Sequence, residues 1–151
     1  MATTLTRLKA EPMAYTDERL NRIYDRTNGY CHICHKKLSF VNYAQYGWRG
    51  AWEVDHSKPK AKGGTDHGNN LFPACIPCNR SKRAGSTRAA RGRNGQSRAP
   101  YSRAKMNGKR RNNQLGGAIT GGIIGARLGP VGLVLGALIG AVLGDQHTPR
   151  K

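Results

Sequence analysis

The stretch "CIPCNRSK", residues 75–82, decides the fold together with its upstream counterpart "CHIC", residues 31–34. Each Cys-x-x-Cys pair sets two sulfurs on one turn, and two such pairs supply the four thiolates that tetrahedral zinc takes in a structural site. Compact zinc ribbons separate their pairs by roughly 15–20 residues. Here about forty intervene, residues 35 to 74, enough for a hairpin to be looped out and pinned at its base. Structural zinc on Cys31, Cys34, Cys75 and Cys78 is therefore expected to clamp a loop with work of its own. With four cysteines available, His32 and His35 are expected as surface residues of the knuckle rather than ligands. The amino-terminal segment MATTLTRLKAEPMAYTDERL has no apolar run of the kind a secretory signal needs. Its absence favours a reducing, cytoplasmic setting and metal binding over disulfides.

Inside the clamp lie Asp55-His56, Pro59, Gly63-Gly64 and Asn70-Leu71, and Asn79 follows the last cysteine directly. His56 is a base that is neutral at physiological pH. Asp55 offers a hard charged oxygen and Asn79 a hard neutral one, a pairing suited to Mg²⁺ or Mn²⁺ completed by water and phosphate oxygens. Phosphodiester hydrolysis asks for such a base, such a cation and contacts that hold the phosphate. As neighbours in a regular strand, however, Asp55 and His56 would point to opposite faces.

The order D-H, Pro, G-G, N-L, C-x-x-C-N-x-x-K resembles the pattern of the HNH endonucleases of the ββα-metal (His-Me finger) superfamily, over roughly residues 15–83. The resemblance implies that Asp55 and Asn79 ligate a catalytic divalent cation, that His56 is the general base, and that Asn70 orients the loop bearing it. Asn79 departs from the family name, whose third letter is often His. The resemblance also implies DNA as the partner. Lys58, Lys60, Lys82 and Arg83 are expected to meet its backbone, positioning without specifying sequence. Asp66 and His67 read as ordinary loop residues.

The 151 residues carry a formal charge of +18, which favours a polyanion, nucleic acid or anionic membrane, as partner. A chain of this length holds one modest core and appendages. Composition divides it into an N-terminal arm (1–14), a mixed domain (15–84), a basic segment (85–114) read as a disordered linker because it has no acidic residue, an apolar glycine-rich segment (115–144) and a basic tail (145–151). In the domain, Thr16 can cap a helix with Asp17 and Glu18 in its first turn and Asn28-Gly29 as its stop. LSFVNYAQY and GAWEVDH hold the β-formers, and NNLFPACIPCNRSKRA is expected to turn at Pro73 and run as a helix from about Ile76.

The glycines of the last segment fall at Gly117, Gly121, Gly125 and Gly129, then at Gly132, Gly136, Gly140 and Gly144. A period of four stacks them on one helix face and admits a close partner helix. Pro130 separates two halves of about 13 residues, each roughly 20 Å long and short of a ~30 Å hydrocarbon core. Arg127 near the middle and basic residues at both ends (Lys109, Arg110, Arg111; Arg150, Lys151) favour a hairpin with both ends on the cytoplasmic face over a single kinked span. The expected fold class is α+β: a small zinc-braced ββα-metal domain, a disordered basic linker and a C-terminal glycine-zipper helical hairpin. The expected function is metal-dependent hydrolysis of DNA at the inner membrane, in phage defence or as an antibacterial effector, with oligomer formation through the zipper. Two rivals stand beside it: a non-enzymatic zinc-stabilised nucleic-acid binder, and a membrane-inserting toxin carrying a nuclease.

Overall fold

The computed structural model describes residues 15–125 and 129–146. The N-terminal arm, Arg127, Arg150 and Lys151 lie outside the described residues. Helix α1 spans Asp17–Asp25, with the Thr16 hydroxyl accepting from the Arg19 N–H and Asp17 and Glu18 in the first turn, as the cap and dipole arguments require. It buries Leu20, Ile23 and Tyr24. Beyond it the chain reverses through Asn28 (φ 53°) and Gly29 (φ 75°). A Cβ on Gly29 would lie 2.6 Å from the Tyr24 ring, so glycine alone fits and the chain passes directly into Cys31.

Strand β1 (Trp52–His56) pairs antiparallel with β2 (Leu71–Cys75), Trp52 opposite Cys75 and His56 opposite Leu71. Helix α2 (Ile76–Lys82) follows without a break. The second strand is thus Leu71–Cys75, not the LSFVNYAQY segment. That segment forms a short 3-10 turn at Phe40–Asn42 and a single bridge from Tyr43 to Trp52. Its aromatics serve the core instead: Phe40 and Tyr43 join Tyr24 around the fully buried Trp52 ring, with centroids 5.0 to 6.3 Å away. Pro73 sits within β2 rather than at a turn. A proline is tolerated at the edge of a two-stranded sheet, and its carbonyl accepts the His32 N–H at 3.0 Å.

The basic segment is ordered, in contrast to the disorder its composition suggests. Helix α3 spans Thr87–Gly92, capped by Ser86, and α4 (Arg103–Gly125) begins inside the same segment. Tertiary contacts override the lack of apolar residues. Ala90 and Met106 are buried, Arg91 donates to the His32 carbonyl at 2.8 Å, and Arg103 pairs with Asp25 at 3.1 Å. Helix α4 packs along α5 (Gly129–Gln146). Among the described residues no helix is long and apolar enough to cross a membrane.

Candidate active site and zinc cluster

The two Cys-x-x-Cys pairs converge at the base of the hairpin. All four sulfurs lie within 4.8 Å of one another, and Cys34 and Cys75 are 3.7 Å apart. A tetrahedron with Zn–S bonds of ~2.3 Å has an edge of ~3.8 Å, so the donor set fits zinc. As bare thiols the four form an uneven group. Hydrogen bonds from Cys31, Cys75 and Cys78 press the Cys34 thiol far down, while Cys75 and Cys78 are pushed up by bonding to Cys31 and Cys34 and by burial. Four thiolates together need a cation. Neither His32 nor His35 belongs to the cluster.

His32, expected on the surface, is fully buried. Its ring stacks on Phe72 with centroids 5.1 Å apart. Its Nε2 is 2.7 Å from Asp55 Oδ2, and its Nδ1 is 3.0 Å from the Arg91 guanidinium. Because a guanidinium only donates, Nδ1 must accept, and the ring proton rests on Nε2, directed at Asp55. Burial holds the His32 ring below its ordinary proton affinity against the pull of Asp55, so His32 is a neutral donor that aims a carboxylate.

Asp55 itself is 4% exposed. Lys82, expected to reach nucleic acid from one turn past Asn79, is also buried, at 3%. It donates to Asp55 Oδ1 at 2.9 Å and to the His56 carbonyl at 2.7 Å. As the last residue of α2, Lys82 faces β1 rather than solvent, which explains the departure from expectation. The two oxygens of Asp55 therefore have one partner each, and of roughly four lone-pair directions on a carboxylate two stay open for a cation. Asn79 donates its amide N–H to Glu53 Oε2 at 3.0 Å, and Arg80 donates to Glu53 Oε1 at 3.3 Å. With its amide nitrogen committed to Glu53, the Asn79 side chain keeps its oxygen as an acceptor. Asp55, His56, Asn79, Lys82 and Arg83 line one depression of about 260 Å³, with Pro59 and Lys60 on its rim. A carboxylate and an amide oxygen on one such wall fit a hard divalent ion, with water or phosphate completing the shell.

Asp55 and His56 do diverge, as strand geometry demands: the first turns inward to Lys82 and the second outward. There His56 Nε2 meets Asp66 Oδ1 at 2.7 Å. Lys60 closes on Asp66 Oδ2 at 3.1 Å, Tyr15 donates its hydroxyl to Oδ1 at 3.4 Å, and Arg19 donates to the Asp66 carbonyl. The hydrogen bonds from His56 and then Lys60 hold the Asp66 carboxyl at about 2, below the ordinary 3.8. An ionised carboxylate only accepts, so the His56 Nε2 carries a proton. Reading Asp66 as an ordinary loop residue missed this pairing. The available signal was that it is the single acidic residue between His56 and Leu71. Glu53 was missed as well, although two places before Asp55 on a strand it shares the same face.

Asn70 binds the loop that leaves His56. Its side-chain oxygen accepts the Lys58 N–H at 2.7 Å, and its amide donates to the carbonyls of Lys58 at 3.0 Å and Thr65 at 2.9 Å. The same loop requires Gly64, where a Cβ would lie 1.8 Å from the Lys58 carbonyl oxygen. Lys58 and Arg83 are exposed, and Lys60 is exposed while paired with Asp66.

No curated protein and no solved structure matches the chain. Residues 31–85 match the family model for HNH endonuclease, a span that takes in both cysteine pairs, the β1–β2 hairpin and α2.

Proposed function

We propose that residues 15–92 hydrolyse DNA phosphodiester bonds, with His56 as general base. The observation that carries this reading is the shared depression of Asp55, His56, Asn79 and Arg83, beside which Asp66 holds the His56 ring by Nε2. With Nε2–H donated to Asp66, Nδ1 is the atom that takes the proton from water as the water oxygen bonds to phosphorus; the bond from phosphorus to one sugar oxygen breaks, and that oxygen leaves and is protonated from solvent. Asp66, ionised down to about pH 2, offsets the charge that then develops on the ring. Asn70 holds the loop and hence the direction of that ring, while Lys82 and His32 hold Asp55. Exposed Lys58 and Arg83 are placed to meet phosphate oxygens. Asp55 and Asn79 would hold Mg²⁺ or Mn²⁺, which when bound supplies Lewis-acid stabilisation of the charge on the phosphate. Zinc on the four cysteines has a structural part only, at the foot of the hairpin.

The test is cleavage of plasmid and single-stranded DNA by purified protein supplied with Mg²⁺ or Mn²⁺. Parent protein cuts both or one of them, and His56→Ala does not. Intact DNA with the parent, alongside salt-sensitive binding, would instead establish the non-enzymatic binder.

The helical pair α4–α5 favours a second, separate property. Leu133, Val134, Leu135, Leu138, Ile139 and Val142 are all exposed along α5, an apolar surface of a kind that marks membrane or protein contact. We propose that this pair seats the nuclease on an anionic membrane, with the dense Lys and Arg of α4 toward the headgroups, consistent with an inner-membrane location and a role against phage or rival bacteria. Flotation with anionic vesicles tests it: the full chain floats, and a Leu135→Glu/Leu138→Glu variant stays in solution.

A further inference from the structure

Tyr46 and Trp48 are out of character with the rest of the domain. Trp52 and Tyr24 are buried, yet Tyr46 is 72% and Trp48 66% exposed. They do not sit on a slack loop. The Asn42 amide donates to the Arg49 carbonyl at 2.8 Å, and backbone bonds run from Ala44 to the Trp52 carbonyl and from Ala51 to the Trp48 carbonyl. Gly50 (φ 75°) closes the loop against Ser39, where a Cβ would be 2.9 Å from the Ser39 nitrogen. A well-tied loop that presents two aromatic rings to solvent is built for a partner with a flat apolar face.

The two rings border a cavity of about 610 Å³ that no step of the chemistry above uses. Lys36, Lys37 and Arg93 line it, and no carboxylate does. The cavity and the catalytic depression lie on neighbouring faces of α2: Cys78 and Ser81 look into the first, Asn79 and Lys82 into the second. Arg80 joins them, bonded to Glu53 beside Asn79 and set 4.9 Å over the Tyr46 ring. A helix diameter of ~10 Å amounts to about three nucleotides at ~3.4 Å of rise each.

We propose that this cavity receives an unpaired nucleobase of the substrate, stacked on Trp48 or Tyr46 with its phosphates toward Lys36 and Arg93, and so directs the nuclease to DNA with unpaired bases a few nucleotides from the cut. Stacking on an aromatic ring is open to any base, so the cavity selects strand structure rather than sequence. The inference rests on the nuclease reading for its cleavage consequence but not for the binding itself.

Tryptophan fluorescence separates the two. The chain has only two tryptophans, and Trp52 is fully buried, so quenching by added DNA reports Trp48. In a His56→Ala background, which prevents cutting, a single-stranded oligonucleotide quenches this signal and an equally long abasic strand does not. Trp48→Ala weakens single-strand binding about tenfold, in line with the ~1–3 kcal/mol that a stacked base contributes. Trp48→Phe retains most of it, and unchanged zinc content and Trp52 emission show that the variants are folded. With His56 restored, Trp48→Ala lowers kcat/KM on single-stranded or gapped DNA relative to duplex. Equal quenching by abasic and base-bearing strands, or undiminished affinity in Trp48→Ala, would overturn the proposal. Base-dependent quenching by a protein that cuts no DNA would leave the cavity standing and remove the nuclease reading.

Discussion

The domain built on the four-cysteine cluster and the α4–α5 pair use apolar residues in opposite ways. In the domain, Trp52, Leu71, Ile76 and Ile33 are buried to within 1%, and the buried polar groups find named partners: Lys82 and His32 on Asp55, Arg91 on His32. In the helical pair, leucines, isoleucines and valines face outward, at exposures of 47–69% for those from Ile119 to Val142. A chain stretch buries its own apolar surface only when another layer covers it. The domain provides that layer with a two-stranded sheet, three short helices and a four-cysteine cluster at its base, whereas beyond Met106 the two glycine-rich helices pack chiefly on one another. The difference teaches that apolar residues mark a core in one half, whereas in the other they form an exposed surface.

Removing the metal should break this contrast most sharply. A core this small leans on its clamp, and structural zinc in small domains contributes roughly 10–16 kcal/mol of apparent binding energy that appears as folding energy. Chelation, or Cys75→Ser, is expected to abolish the near-ultraviolet dichroism of the domain while the helical far-ultraviolet signal of α4–α5 persists. Loss of both signals together would show that the two halves are one cooperative unit.

His56→Ala sharpens it from the other side. Cleavage should fall by about 10²–10⁴-fold, the usual span for a lost general base, with Tm nearly unchanged because His56 is not part of the core. Asp66→Asn, which still accepts from Nε2–H but carries no charge, should lower kcat by about tenfold to a hundredfold, a loss typical of removing a partner that orients a reactive group, with KM little altered. A parallel fall in Tm would assign Asp66 to holding the loop rather than the ring.

Leu135→Glu with Leu138→Glu should change the domain's stability by no more than a surface substitution does, about 0.5 kcal/mol or less, while vesicle binding is lost. The smallest effect is on acid sensitivity. Asp66 is depressed from 3.8 to about 2 by His56 and Lys60. A depressed carboxylate contributes stability that is complete above its unfolded value and is lost as pH falls through its folded value. The 57–70 loop should therefore keep its protection from hydrogen exchange down to about pH 4 and lose part of it between 4 and 2. Asp66→Asn should remove that step.

Much of this was legible because it is local. Helix α1 follows from Thr16, Asp17 and Glu18, and α2 follows from Ile76 onward. The two cysteine pairs announce a four-cysteine cluster by spacing, and Asp55, His56, Asn70 and Asn79 all fall on one ordered pattern, of which Asp55, His56 and Asn79 line one depression. Other features were misread where a residue type speaks for two environments. The β-formers at 38–46 became the aromatic collar of Trp52 instead of a strand. Pro73 found an edge position where its missing N–H costs little, and the acid-free basic segment became ordered because Arg91 and Ala90 had something to pack on.

The sequence by itself determined the ligand pairs, the helix caps, the obligatory glycines and the order of chemical groups along the chain, since each depends on neighbours a few residues away. Only the tertiary structure decided which partner each group meets: His32 with Asp55 across 23 residues, Arg91 with His32 across 59, His56 with Asp66 across ten. Spacing does not encode such meetings. They are set by how the hairpin, the knuckle and α3 pack, and burial then makes each polar pairing obligatory, because an unpartnered charge inside would cost more than the fold could supply.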